Sequence, residues 1–303
     1  MHSSQLIKDE ARRIGFIDCR ISRVGSLTKH AAYLSEWIRK GMYGEMNYMA
    51  RNYEKRVDPV LLVENTKSII SLAVNYFPEE QQNPGLPQIA KYAYGTDYHM
   101  VVKDMLYQLL DVIKTQYGNV SGRVFTDSAP VLEHAWAERS GLGWIGKHSL
   151  IIHPQHGSFL FLGELFIDME IEPDAPVADR CGSCTRCMDA CPVKAIIAPR
   201  IVDARRCLSY LTIEYRGTFD PEVQLHGRLF GCDICQDVCP WNKKAGPGGT
   251  NVFKSDRKML DKTVEEWQHL SEEEFDILTA NSPLQRAGFH AIKRNAKQLG
   301  HNK

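Results

Sequence analysis

Residues 181–192 read Cys181-Gly-Ser-Cys184-Thr-Arg-Cys187-Met-Asp-Ala-Cys191-Pro192. The spacing C-x2-C-x2-C-x3-C-P belongs to bacterial two-cluster iron–sulfur proteins, in which three close thiolates serve one 4Fe–4S cluster and the cysteine before proline serves the other. Short turns aim three thiolates at one cubic cluster from a loop, and Cys191 is expected on the following helix, facing away. The counterpart is Cys232-Asp-Ile-Cys235-Gln-Asp-Val-Cys239-Pro240, with Cys207 upstream to complete it. Crossing then assigns Cys181, Cys184, Cys187 and Cys239 to one cluster, and Cys191, Cys207, Cys232 and Cys235 to the second. Paired C-x2-C also builds zinc ribbons, but four tetrahedral ligands do not require a triplet followed by Cys-Pro. Two clusters in series move electrons, so a receiver must lie elsewhere in the chain.

Outward from this region, only Cys19 of the nine cysteines stands apart, and it is expected to be a small apolar filler. Clustered thiols suit a reducing compartment, where disulfides are unusual. The N-terminal MHSSQLIKDEARRIG carries charges where a signal peptide would be apolar, so a cytoplasmic protein is expected. The apolar runs at 68–74 and 159–162 fall far short of the roughly 20 residues of a membrane span. At 303 residues and 43% apolar, the chain is too long for one core and too apolar for disorder. Its 37 basic and 37 acidic residues give no support to a strong nonspecific grip on nucleic acid.

Apolar spacing predicts helices over 5–14, 31–40, 98–117 and 131–140. Strands are expected over 16–21, 68–74, 120–126, 149–153 and 158–168, the second covered on both faces. Segment 78–87 (PEEQQNPGLP) reads as a loop. The alternation suggests an open α/β sheet in residues 1–175. A proline-bearing acidic linker leads into the cysteine region, 176–245. The remainder, 246–303, begins with the loop PGGTN at 247–251 and becomes a polar helical tail, with Trp267, Leu270, Phe275, Ile277 and Leu278 as packing residues.

Two further motifs fail on inspection. Gly141-Leu-Gly143-Trp-Ile-Gly146-Lys147 matches a phosphate-loop pattern, but a helix precedes it, a strand follows it, and His148 replaces the magnesium-binding hydroxyl. A helix cap at Gly141 and a tight turn are expected instead. Asp97-Tyr-His99 begins like the D-x-H-x-x-G loop that offers histidine to the cobalt of cobalamin, but Val102 replaces the glycine. By residue chemistry alone Asp97 caps the helix that follows, and Asp127, in Thr-Asp-Ser-Ala-Pro, starts another with Pro130 in its first turn.

Taken together, GEMNYMARN with EKRVDP, YAYGTDYH, TDSAPVLEHAWAERSGLGWIGKHSLI, GSFLFLGEL, the cysteine run, DARRCLSYLTIE and GCDICQDVCPWN resemble the epoxyqueuosine reductase family over nearly the whole chain. The resemblance implies a cobalamin-binding α/β (α+β) domain fused to a two-4Fe–4S ferredoxin module. It implies reduction of epoxyqueuosine at the tRNA wobble base to queuosine, the last step of queuosine formation. Cobalamin is expected with its base displaced and no histidine below cobalt, in keeping with the broken D-x-H-x-x-G pattern. An external low-potential electron donor, a tRNA partner and a monomeric protein are further implications.

By the same resemblance Asp127 is the expected proton donor, a carboxylic acid kept protonated by burial or by neighbouring charge. Asp97 and His99 match positions near the substrate. Arg56, Ile151, Leu162, Ser209 and Asp233 match cobalamin-contacting positions, with Asp127 among them. Longer relatives add C-terminal HEAT-like repeats that help hold tRNA, and this chain ends with a short helical tail. Basic residues at 200–206, Arg216, Lys243 and Lys244 are then the surfaces expected to meet tRNA, in a weak, local and salt-sensitive contact. The competing readings are a reductive dehalogenase-like cobalamin enzyme and a ferredoxin-type electron-transfer subunit. Cobalamin binding and loss of epoxide from tRNA separate all three.

Overall fold

A computed structural model describes residues 4–248, 253 and 255–301. Residues 249–251 of the expected loop, and the Lys244 side chain, lie outside the described residues. The strand Ser68–Asn75 is buried along its whole length, as its run of apolar and β-branched residues requires. It occupies the interior of a four-stranded sheet ordered Asp18–Arg23, Ser68–Asn75, Leu160–Ile167, Gly122–Phe125.

Every pairing in that sheet is antiparallel. The open sheet expected from the alternation is therefore present, and the class is α+β. Strand 18–23 is shifted by two residues from the predicted run, 122–125 and 160–167 are shorter than predicted, and 68–75 extends one residue further. Strand 18–23 begins after Phe16, which turns into the core instead of joining the ladder.

Successive side chains of a strand point to opposite faces. Ile70, Leu72 and Val74 meet the helices Gln5–Ile14 and Tyr98–Tyr117 in one core, where Cys19 serves as the expected filler. Ile69 and Ala73 face the helix Glu133–Ser140 on the other side. Ser71 and Glu164 lie opposite each other between these two apolar patches, both fully buried.

The pattern at 141–146 is a close-packed turn. Gly141 caps the helix Glu133–Ser140 at φ 84°, and a Cβ there would stand 2.1 Å from the Ala175 carbonyl oxygen. Asp97 caps the helix Tyr98–Tyr117 by accepting from the His99 N–H, as expected. Asp127 caps nothing: the helix starts at Glu133, with Leu132 before it, and Asp127 itself sits at φ 48°. The capping expectation fails because residues 127–131 turn outward before the helix begins.

The tail is part of a core. Met259, Trp267, Phe275, Ile292 and Leu299 pack with Leu208, Leu229 and Phe230 of the cysteine region and with Ile89 and Tyr94. A parallel pairing of Gln88–Ile89 with Arg228–Phe230 closes the same junction. Asn295, fully buried, donates to the carbonyls of Thr212 and Leu229 at 2.9 Å each. Ile277 departs from expectation, being 74% exposed: it projects from the outer face of Glu272–Thr279, whose buried side chains are Phe275 and Thr279.

Candidate active site and cluster centres

Cys181, Cys184, Cys187 and Cys239 line one small cavity, and the remaining clustered cysteines lie beside it. Burial raises the Cys187 thiol, and Cys239 and Cys181 follow as causes; burial likewise raises Cys239, with Cys181 and Cys184 beside it. In the other group burial raises Cys235 well above its ordinary value, followed by Cys232 and Cys207, and Cys191 acts on Cys207. Cys187 is also felt at Cys235, so the two groups are neighbours.

One detail differs from the sequence expectation. Cys187 lies within the short helix Arg186–Ala190, and Cys191 is its C-cap, not a residue on it.

The thiols of the first group line a small cavity of about 20 Å3 with His148, Ile152 and Trp241. Among the described residues no three His, Cys, Asp or Glu side chains draw together tightly enough to hold a lone metal ion. Four cysteines around one small cavity fit a cluster with iron at each corner. Half-buried thiolates repel one another, and the positive charge of iron removes that cost.

A second, much larger cavity of about 920 Å3 opens against the helix start at Glu133. Its wall includes Tyr48, Arg56, His99, Asp127, His134 and Arg286. The Asp127 side chain is 63% exposed and lines this cavity. The Tyr98 hydroxyl donates to Asp127 Oδ2, and His99 Nε2 stands 3.7 Å from the same oxygen. His99 Nδ1 lies 2.7 Å from Asp97 Oδ1, so Asp97 both caps the helix and orients the ring.

The ionisation follows from these contacts. Burial opposes charge on His99, but the nearby Asp127 carboxylate and the hydrogen bond with Asp97 outweigh it and push the ring up to about 9. Burial would raise Asp127, yet His99 and Tyr98 hold its carboxyl below the usual range. The carboxyl that stays protonated is Glu133: burial first, and then the Asp127 charge, raise it. Of these two carboxyls it is Glu133, and not the expected Asp127, that its surroundings push toward the protonated form. Glu133 Oε1 accepts from the Asp127 N–H at 2.6 Å, which fixes the left-handed turn.

Arg56 has a donor free for a ligand in this cavity. It is 8% exposed, donates from Nη2 to the Tyr48 carbonyl at 2.8 Å, and leaves Nε buried without a partner. A ligand with amide or anionic oxygens satisfies that donor. Of the other expected cofactor contacts Asp127 lines this cavity, and Ile151, Leu162, Ser209 and Asp233 do not. Ile151 and Leu162 are buried together behind it. Asp233 is buried beside the second cysteine group, accepting from the Lys91 N–H at 2.7 Å, and Ser209 lies on the helix Leu208–Ile213 that starts after Cys207.

Of the basic residues, Arg200 reaches the cavity wall while paired to Asp179 at 2.6 Å. Arg205 is held by Asp203, and Arg216 donates to the carbonyls of Ala287 and Arg286. Lys243 is exposed. Sequence reading passed over Tyr48, Tyr98, Glu133, His134 and Arg286. Arg286 reaches the site from the far end of the chain, with its guanidinium 5.6 Å over the Tyr48 ring, and no local pattern marks it.

Two family models match the chain: "Epoxyqueuosine reductase QueG, DUF1730" over residues 56–128 and "4Fe-4S double cluster binding domain" over residues 180–242. An epoxyqueuosine reductase of Cellulophaga algicola is 47% identical over 96% of each chain. A crystal structure of epoxyqueuosine reductase with an epoxyqueuosine-modified tRNA-Tyr stem loop superposes with a TM-score of 0.92 at 28% identity, covering 98% of this chain and 81% of that one. The catabolic reductive dehalogenase NpRdhA shares the fold at a TM-score of 0.51 and 17% identity, over 96% of this chain and 38% of that one.

Proposed function

The chain belongs to the epoxyqueuosine reductase family, and we propose that it reduces epoxyqueuosine in the anticodon loop of tRNA to queuosine, using cobalamin and two 4Fe–4S clusters. The observation that carries this reading is the Asp127 carboxylate, presented to a large cavity by Tyr98, His99 and Glu133.

Removing the epoxide oxygen breaks two C–O bonds, consumes two electrons and two protons, and leaves an alkene and water. When bound, cobalamin reduced through the clusters supplies the electrons. The protein supplies the protons. Asp127, ionised at rest, first takes a proton and then delivers it to the epoxide oxygen as the C–O bond opens, which avoids a localised alkoxide. His99 carries an exchangeable proton 3.7 Å from that carboxylate and restores it. Asp97 keeps the ring aimed.

The remaining assignments follow the same logic. Arg56 holds the amide-bearing edge of the cofactor through its unpartnered Nε. Ile151 and Leu162, buried together, would lie behind the cofactor as apolar backing, and Ser209, two residues after Cys207, and Asp233, directly after Cys232, would hold it on the side of the second cluster. Arg200 and Arg286, on the cavity wall, meet the tRNA backbone. An external low-potential donor reduces the clusters, and the enzyme works as a monomer in the cytoplasm; no helix among the described residues is long and apolar enough to cross a membrane.

The test is Asp127→Asn in reconstituted enzyme with tRNA from cells that accumulate the epoxide. Iron content, cobalamin binding and tRNA binding stay at wild-type level, while turnover falls by about 10²–10⁴, the usual worth of a positioned acid. Full turnover of the variant removes the assignment; cobalamin binding without action on tRNA by the wild type removes the substrate.

A further inference from the structure

His148 stood in the failed phosphate-loop pattern and has no part in the chemistry above. The structure gives it an unusual position. It is 4% exposed and lines the small cavity enclosed by Cys181, Cys184, Cys187 and Cys239. Its Nδ1 accepts the Leu150 N–H at 3.2 Å. That bond needs the Nδ1 lone pair, so the ring proton resides on Nε2. Nε2 is itself buried and has no hydrogen-bond partner in the protein.

A buried N–H donor without an acceptor is costly, and such groups are rare in native structures. The Leu150 bond aims and tautomerises the ring, while the turn at Gly146 leaves room for it: a Cβ there would stand 2.9 Å from His148 Cε1. A second donor repeats the pattern. Trp144 Nε1 is buried and unpartnered, and the Trp144 ring packs with Cys239 and Cys181. Two orphaned N–H groups beside one set of four thiols need an acceptor that arrives with the cluster.

We propose that His148 Nε2–H donates a hydrogen bond to sulfur of the cluster held by Cys181, Cys184, Cys187 and Cys239, and so sets the potential of that cluster above the value its thiolates alone would give. Hydrogen bonds to cluster sulfur draw electron density from the iron and favour the reduced state. His148 is a positioning and tuning residue, without contact to the substrate. The consequence is directional: one cluster becomes easier to reduce by an outside donor, and the other, next to the expected cofactor site, is unaffected.

The inference rests on the two-cluster reading, and iron content with cluster absorbance tests that separately; a protein that takes up zinc and no iron refutes the reading itself. The tuning test is a redox titration followed by electron paramagnetic resonance on wild type, His148→Leu and His148→Gln. One of the two clusters shifts to more negative potential in H148L and returns toward wild type in H148Q, whose amide again donates. The wild-type enzyme, with nitrogen-15 histidine and in deuterium oxide, shows a weakly coupled imidazole nitrogen and an exchangeable deuteron at the reduced cluster. Unchanged potentials in H148L overturn the proposal. If H148L does not assemble its clusters, the wild-type spectrum decides, and the absence of both couplings overturns it equally.

Discussion

His99 Nε2 lies 3.7 Å from Asp127 Oδ2, with the opposite ring nitrogen 2.7 Å from Asp97 Oδ1. The imidazole bridges two carboxylates, one that orients it and one that it charges. Its value of about 9 is above the ordinary 6.5, so its stabilising contribution is complete below about 6.5 and disappears as pH rises through about 9. Asp97→Asn is expected to bring the His99 titration, followed by NMR of the ring, back toward neutrality. It also slows turnover most at alkaline pH, where the ring is then uncharged.

Tyr98→Phe removes one hydrogen bond and little packing. The ring stacks on Phe161 at 4.1 Å and 5°, and phenylalanine keeps that contact. Loss of the donor to Asp127 raises the carboxyl toward its ordinary value and lowers turnover roughly tenfold, the worth of one hydrogen bond to a charged group. Single-turnover rates with unchanged tRNA affinity check this.

Glu133→Gln separates holding from titrating. Gln retains the acceptor for the Asp127 N–H and loses the proton that burial and the Asp127 charge keep on the acid. A rate that depends on protonated Glu133 falls as pH climbs past its raised value. The variant's pH–rate profile is expected to lose that alkaline limb, with a lower plateau.

The crossed ligation makes a non-additive prediction. Cys191→Ser and Cys207→Ser act on the same cluster, so each removes about half of the iron and the double variant removes no more. Cys187→Ser with Cys191→Ser, only four residues apart, empties both. Iron per chain and the absorbance of the oxidised protein distinguish these outcomes.

Asn295→Ala tests whether the tail is structural. The side chain is fully buried and ties the carbonyls of Thr212 and Leu229; leaving both without partners costs about 2–4 kcal/mol. A clear fall in the denaturation midpoint is expected, together with loss of iron from the cluster that uses Cys207 and Cys232.

By itself the sequence determined what depends on spacing along the chain. Within Cys181–Cys187 and Cys232–Cys235, turns of two residues leave the thiols little freedom, whereas the expected places of Cys191, Cys207 and Cys239 come from the two-cluster pattern as a whole. The helix 98–117 and the buried strand near 68–74 were legible for the same reason: period and apolar composition act locally. Tertiary structure alone decided the antiparallel pairing, since strands of similar composition join in either sense until helices pack on them. It also turned Asp127 from a plausible cap into a cavity residue, through a bond from Glu133 that follows it by six residues. Charge is the clearest case. Whether a carboxyl at 127 or 133 keeps its proton depends on His99, Tyr98 and burial together, and no reading of neighbours in sequence contains that balance.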